Sequence, residues 1–252
     1  MPTIIVTGGS RGIGLSVVKF LLESQYNVID VSRSDTSSST GVASSYPAAF
    51  SYVKGDMSED PSTFTAGIRK ALESDKLTGI VFNAATLAPV GRVCGSETST
   101  KDWARAYQVN LISIVGMLKE FHSELVQNRA RLVMVSSGAA DKPYQGWGCY
   151  GSTKAAVNHL VRTLSVEEPE LTSIAFAPGV VDTEMQNDIR TKFAQGMHPD
   201  EHSRFLDLKQ NSNLLPPDVP GKVIANLVTK APAELSGVYC RVGDSVTKDY
   251  SQ

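Results

Sequence analysis

Tyr150 and Lys154 stand four residues apart in CYGSTKAAVNHL (149–160), where a helical pattern begins. That spacing sets a phenol and an ammonium on one helical face, one turn apart, so the charge can act on the phenol. A free phenol titrates near pKa ~10, too high to cycle easily at neutral pH, and an adjacent cation favours its ionised form. The pair is suited to moving a proton. The same spacing also arises by chance, so the remaining residues must show whether it is chemical.

A second constellation lies at the N-terminus. TGGSRGIG (7–14) places Gly8, Gly12 and Gly14, with Ser10, Arg11 and Ile13 among them, between a β-branched run and a helix. Glycine here permits a tight turn and lets the backbone approach a pyrophosphate, whose charge then rests on the helix N-terminus. The next strand ends VSRS (31–34). An acid at that end would bind a ribose 2′-hydroxyl and select NAD, but Ser32 occupies the place and Asp30 falls two residues too early. Arg33 and Arg11 can fork around a 2′-phosphate instead. NADP(H) is the expected cofactor.

The elements that must position these groups alternate. TIIVT (3–7), NVIDVS (27–32), FSYVKG (50–55), TGIVFNA (78–84), ARLVMVSS (130–137), TSIAFAP (172–178) and GVYCRV (237–242) read as strands. Helical patterns fill 12–25, 61–74, 101–127, 150–168 and 217–229, and the serine-rich stretch after Ser32 reads as a polar loop. Such alternation predicts a single α/β domain, a doubly wound parallel sheet of about seven strands with helices on both faces. A length of 252 residues suits one such domain, and a net charge of -2 gives no reason to expect nucleic acid or an anionic membrane as partner. Cys94, Cys149 and Cys240, with no CxxC, fit free thiols in a reducing compartment. The opening MPTIIVTGG lacks the regions of a signal peptide, and no apolar run reaches the roughly 18 residues of a membrane span, so a cytoplasmic location is expected. His198 and His202 stand four apart, but Pro199–Asp200 reads as the opening of a short exposed helix; no metal is expected.

Six motifs occur in order: T-G-x-x-x-G-I-G at 7–14, NAA at 83–85, Asn110, SS at 136–137, Y-x-x-x-K at 150–154 and PGVVDT at 178–183. Together they resemble the short-chain dehydrogenase/reductase signature over nearly the whole chain. The resemblance implies a Rossmann-type fold and an NADPH-dependent carbonyl reductase in which Tyr150 is the acid, Lys154 also holds the nicotinamide ribose, and Ser137, rather than Ser136, bonds the substrate oxygen. It further implies that Asn110 organises a water in the proton relay and that Asp56 and Asn83 line the adenosine half. Pro178, Gly179, Val181 and Thr183 then lie along the nicotinamide, Thr183 at its carboxamide. Ala85 and Ala140 stand where the family usually has glycine, and neither change removes a chemical group.

KPYQGWGCYGSTKAAVNH, EEPE and APGVVDTEMQNDIR are similar to the branch holding benzil reductases and sepiapterin reductases. Trp147 and Tyr144 are candidates for an aromatic substrate wall. Met185, Ile189 and Phe193 repeat every four residues, as in an amphipathic lid helix or a plain core helix; their place after the stretch assigned to the nicotinamide favours a substrate lid, expected near 184–215. In sepiapterin reductases an acid four positions after a Ser-Gly pair anchors the pterin; the matching position here is Arg241, with Asp244 three residues on. A guanidinium cannot accept the pterin's N–H donors, so an uncharged 1,2-diketone such as benzil fits better. The family resemblance also implies a homodimer through the helices near 101–127 and 150–168. A dinucleotide-binding sensor or scaffold without turnover is the alternative class, and it would be expected to lack Tyr150 or Lys154.

Overall fold

The computed structural model describes all 252 residues. Seven strands form one parallel sheet: β1 (Pro2–Thr7), β2 (Asn27–Ser32), β3 (Phe50–Lys54), β4 (Lys76–Phe82), β5 (Arg131–Val135), β6 (Thr172–Ala177) and β7 (Tyr239–Arg241), in the order β3-β2-β1-β4-β5-β6-β7. The chain winds outward from β1 to β3, then returns to the other side of β1 through β4. That reversal opens a crevice beyond the carboxyl ends of β1 and β4, where ligands bind in folds of this kind.

Alternate residues of each strand feed two separate cores. Ile5, Ile29, Ile80, Phe82, Leu132 and Met134 pack against α3 (Ser62–Leu72), α5 (Ser113–Glu120), α6 (His122–Gln127) and α7 (Gly148–Glu167). Ile4, Val6, Val28, Val81, Val133 and Phe176 pack against α1 (Gly12–Glu23) and α10 (Asp218–Lys230). With both faces covered, period-two alternation has no polar side, and the strands read as continuous apolar runs. No helix is long and apolar enough to cross a membrane.

The structure departs from the sequence reading in three places. The helix expected over 101–127 is broken: α4 (Thr100–Tyr107) passes through a π turn at Gln108–Ile112 into α5, and Phe121, at φ -112°, separates α5 from α6. The serine-rich loop contains a single helical turn, α2 (Val42–Ser45). The stretch after Thr183 is two helices rather than one, α8 (Glu184–Arg190) and α9 (Pro199–Gln210). His198 caps α9 by accepting the Asp200 N–H at 3.3 Å, and Pro199 opens it.

Candidate active site

Lys154 and Tyr150 lie in the first two turns of α7 and are both buried, at 3% and 7% exposure. The Lys154 ammonium donates to the Val135 carbonyl at 2.7 Å, tying the helix to the end of β5. Burial outweighs favourable contacts at both groups. It pushes the Tyr150 phenol up to about 12, against the opposing pull of the Ser137 hydroxyl, and pushes Lys154 down to about 8. The sequence argument expected the lysine to draw the phenol down; here desolvation dominates, and the phenol holds its proton at neutral pH.

The two serines after β5 separate clearly. Ser136 is buried and spends its hydroxyl on Asn158 Oδ1 at 2.6 Å. Ser137 is half-buried and begins the short 3₁₀ turn Gly138–Ala140, its Oγ accepting the Ala139 N–H at 3.1 Å. Its hydroxyl is the one that acts on Tyr150. Asn110 sits in the π turn with its amide fully used: Oδ1 accepts the Thr86 N–H at 2.8 Å, and Nδ2 donates to the Thr86 carbonyl at 2.9 Å and to Thr153 at 3.1 Å. The side chain thereby fastens the segment after β4 to α7. π turns of this sort cluster at functional sites.

The glycine turn and the 178–183 segment face each other across the crevice. Gly12 has φ +55°, and a Cβ there would sit 3.3 Å from Thr183 Cγ2, so glycine answers both the backbone angle and the narrow gap. Thr183 caps α8, and Val181 pairs with Leu215 in an isolated bridge. The turn leads into α1, whose capping residue Arg11 makes no side-chain bond to the helix and whose first turn carries no acid. Unspent N–H groups and a positive helix end fit a phosphate. Asn83 donates to the Thr7 and Gly8 carbonyls at 3.1 Å each, bracing the turn from β4. Arg11 and Arg33 are exposed at the rim. Burial alone would raise Asp56, but the Ser58 N–H and hydroxyl, with Arg33 and Arg105, hold its carboxyl below the usual range. Ser32 is buried, and its hydroxyl turns inward to Asp30 at 2.9 Å.

A third, smaller core packs around Tyr150. Leu87, Trp147, Tyr150, Ile189, Met197 and Phe205 are its chief members, with Tyr144, Met185 and Phe193 packed against it. The Trp147 ring meets Tyr150 edge-on at 6.0 Å and stacks on Phe205 at 5.5 Å, while Tyr144 lies 4.9 Å away. The Trp147 indole N–H is buried without a partner. α9 is anchored to this wall by Glu201, which accepts the Gln145 N–H at 3.0 Å.

A family model described as short chain dehydrogenase matches residues 2–194. The chain belongs to the short-chain dehydrogenase family. Enzymes of this family are oxidoreductases that use nicotinamide dinucleotides. This short-chain dehydrogenase is 40% identical to a benzil reductase ((S)-benzoin forming) of Saccharomyces cerevisiae, an alignment covering 96% of this chain and 95% of that protein. It is 31% identical to a benzil reductase ((S)-benzoin forming) of Bacillus cereus, over 90% of this chain and 94% of that one. A crystal structure of a short-chain dehydrogenase/reductase from Saccharomyces cerevisiae superposes with a TM-score of 0.93, at 34% identity and with both chains fully covered.

Sequence reasoning missed Phe205, Leu87 and Met197 in the wall of this short-chain dehydrogenase. Phe205 left one usable trace: it is the only aromatic residue in the helix PDEHSRFLDLKQ, with Leu208 one turn on. Arg241, by contrast, is not a bare charge in the site. Its guanidinium pairs with Asp141 at 2.7 Å, and its backbone N–H is taken by Asp244 at 2.7 Å.

Proposed function

We propose that this short-chain dehydrogenase is an NADPH-dependent carbonyl reductase that converts an aromatic or bulky 1,2-diketone, benzil among them, to the hydroxyketone. The observation that carries the reading is the uncharged aromatic wall standing directly on Tyr150. A pocket with few polar groups favours an uncharged aromatic substrate. The buried, unpartnered Trp147 N–H agrees with it, because a second carbonyl oxygen is an acceptor that would satisfy it. The full-length likeness to benzil reductases supports the same substrate class.

When bound, the reduced nicotinamide supplies the hydride, two electrons delivered to the carbonyl carbon. The protein supplies the rest. Tyr150 gives its proton to the oxygen as negative charge develops there, and Ser137 donates a hydrogen bond to the same atom. Lys154 holds the nicotinamide ribose hydroxyls and keeps a positive charge beneath the phenol as it is reprotonated. The segment 184–215 is read as a lid. Its two ends are pinned together, since Asp182 N–H donates to the Leu215 carbonyl at 2.8 Å and Leu215 N–H to the Val180 carbonyl at 2.9 Å. α8 and α9 can thus move as a flap over the wall they complete. A second copy of the chain docks on the side of α4, α5 and α7, where Ile112 and Val166 are exposed, and a cytoplasmic location suits the three free thiols.

Steady-state comparison of benzil with sepiapterin tests the substrate class. The expected result is a kcat/KM for benzil higher by tenfold or so. A higher value on sepiapterin would reject the diketone in favour of a pterin, against the present reading of Arg241, which is committed to Asp141. The cofactor is tested separately. Wild type should prefer NADPH to NADH, and Arg33→Ala should cut that preference roughly 10–100-fold, the worth of a hydrogen bond to a charged group. A wild-type preference for NADH overturns the assignment.

A further inference from the structure

One buried charge has no part in this chemistry. Asp30 lies in the middle of the sheet on β2, paired in register with Val6 and Tyr52, and is 3% exposed. No lysine, arginine or histidine pairs with it. Its Oδ1 accepts the Gly9 N–H at 2.7 Å, and its Oδ2 accepts the Ser32 hydroxyl at 2.9 Å. A carboxylate buried without a cation is costly, and here its two oxygens accept bonds that no apolar side chain could take. Burial raises it, the Ser32 and Gly9 donors lower it, and Asp35 adds to the rise; together they push it up to about 6, which leaves it charged near neutral pH.

The Gly9 bond joins the two segments that carry the phosphate-binding candidates, and the Ser32 bond, within β2, fixes the carboxyl at the strand end. Gly9 belongs to the turn that presents Arg11, and Ser32 immediately precedes Arg33. Contact at Gly9 is so close that a Cβ there would lie 2.6 Å from Asp30 Oδ1, which explains why this second glycine of the turn carries no side chain. Further bonds run around the carboxyl: Thr36 donates to the Ser10 carbonyl at 2.6 Å, and Tyr52 donates to the Ser32 carbonyl at 3.1 Å. A cavity of about 10 Å³ beside it, lined by Leu15, Val18, Thr36, Thr40, Val42 and Phe50, has room for no more than one water.

We propose that Asp30 is a positioning residue for NADPH: its carboxylate locks the glycine turn to the end of β2, so that Arg11 and Arg33 are presented as one site to the 2′-phosphate. The proposal rests on the NADPH reading above. It turns an acid that stands too early to touch the ribose into the brace for the residues that replace that acid.

The test is fluorescence titration of the full chain with NADPH and with NADH, alongside kcat at saturating NADPH. Asp30→Ala should weaken NADPH about tenfold and NADH less than about threefold, because only NADPH needs the two arginines in register, while kcat at saturation falls less than about threefold. Asp30→Asn should rescue: its amide oxygen can accept from Gly9, and its NH2 can donate to Ser32, whose hydroxyl then turns to the Ser34 carbonyl, already 3.2 Å away. Equal losses for NADPH and NADH in Asp30→Ala, NADPH affinity within about twofold of wild type, or an Asp30→Asn as weak as the alanine variant each overturn the proposal. If Asp30→Ala does not fold, Asp30→Ser, whose shorter side chain gives up the Gly9 bond, takes its place, and an unchanged NADPH affinity there overturns the proposal equally. Wild type preferring NADH brings down the cofactor reading and this proposal together; wild type preferring NADPH with Asp30→Ala unaffected brings down this proposal alone.

Discussion

Tyr150→Phe is expected to lower kcat for diketone reduction about 10³-fold while leaving NADPH affinity within about twofold of wild type, in the range general acid catalysis contributes. The substitution removes one oxygen and keeps the ring that packs edge-on against Trp147, so the wall stays in place. What is lost is the proton. The phenol, held at about 12 by burial, is fully protonated at working pH, and the alkoxide that forms on the substrate is the conjugate base of a weaker acid. Transfer is therefore downhill in the direction of reduction. Ser137 cannot take over, since an ordinary hydroxyl is a hydrogen-bond donor here and not an acid of matching strength. Single-turnover absorbance of NADPH separates the two effects: a normal binding amplitude followed by a slow decay supports the assignment, and a kcat within tenfold of wild type places the acid elsewhere.

The readable parts of this protein are those fixed by local spacing. Tyr150 and Lys154 were found because four residues make one helical turn, and the glycine turn because a strand and a helix flank it. The seven strands were legible because burial on both faces leaves no polar alternation to confuse them. The misread parts depend on partners far along the chain. Residues 101–127 look like one helix, and nothing in their periodicity says that Asn110 will spend its amide on Thr86 and Thr153 and pull the backbone into a π turn. α9 carries one buried residue, so its amphipathic signal is weak, yet that residue, Phe205, stacks on Trp147 beside Tyr150. Asp30 was noticed for where it failed to stand, two positions short of the ribose, and its bond to Gly9 spans 21 residues. Tertiary contacts of that kind leave no period to read.

Lys154→Met is expected to make the protein more stable and inactive at once. The wild-type ammonium is buried against the Val135 carbonyl with no carboxylate beside it. Depressing its pKa from 10.5 to about 8 means that the folded state gives up roughly 3 kcal/mol at neutral pH to hold the charge. Methionine has a similar length and no charge to desolvate, so part of that sum returns as stability. The pH window follows from the sign. Below pH 8 both folded and unfolded wild type carry the proton, and the cost is fully present. Between about 8 and 10.5 the folded state releases its proton while the unfolded chain keeps it, so wild-type stability rises towards that of the variant. Urea unfolding of both proteins at pH 7 and pH 9.5 should show a gap that narrows at the higher pH; a variant less stable than wild type at pH 7 contradicts the argument. Activity moves the other way. In the proposed mechanism, losing the charge under Tyr150 and the contact to the ribose should reduce kcat by about 10²–10⁴-fold and weaken NADPH. In wild type the rate of reduction should hold level up to about pH 8 and fall above it, as Lys154 loses its proton. In the proposed mechanism, turnover requires a cation at a place where the fold would be more stable without one.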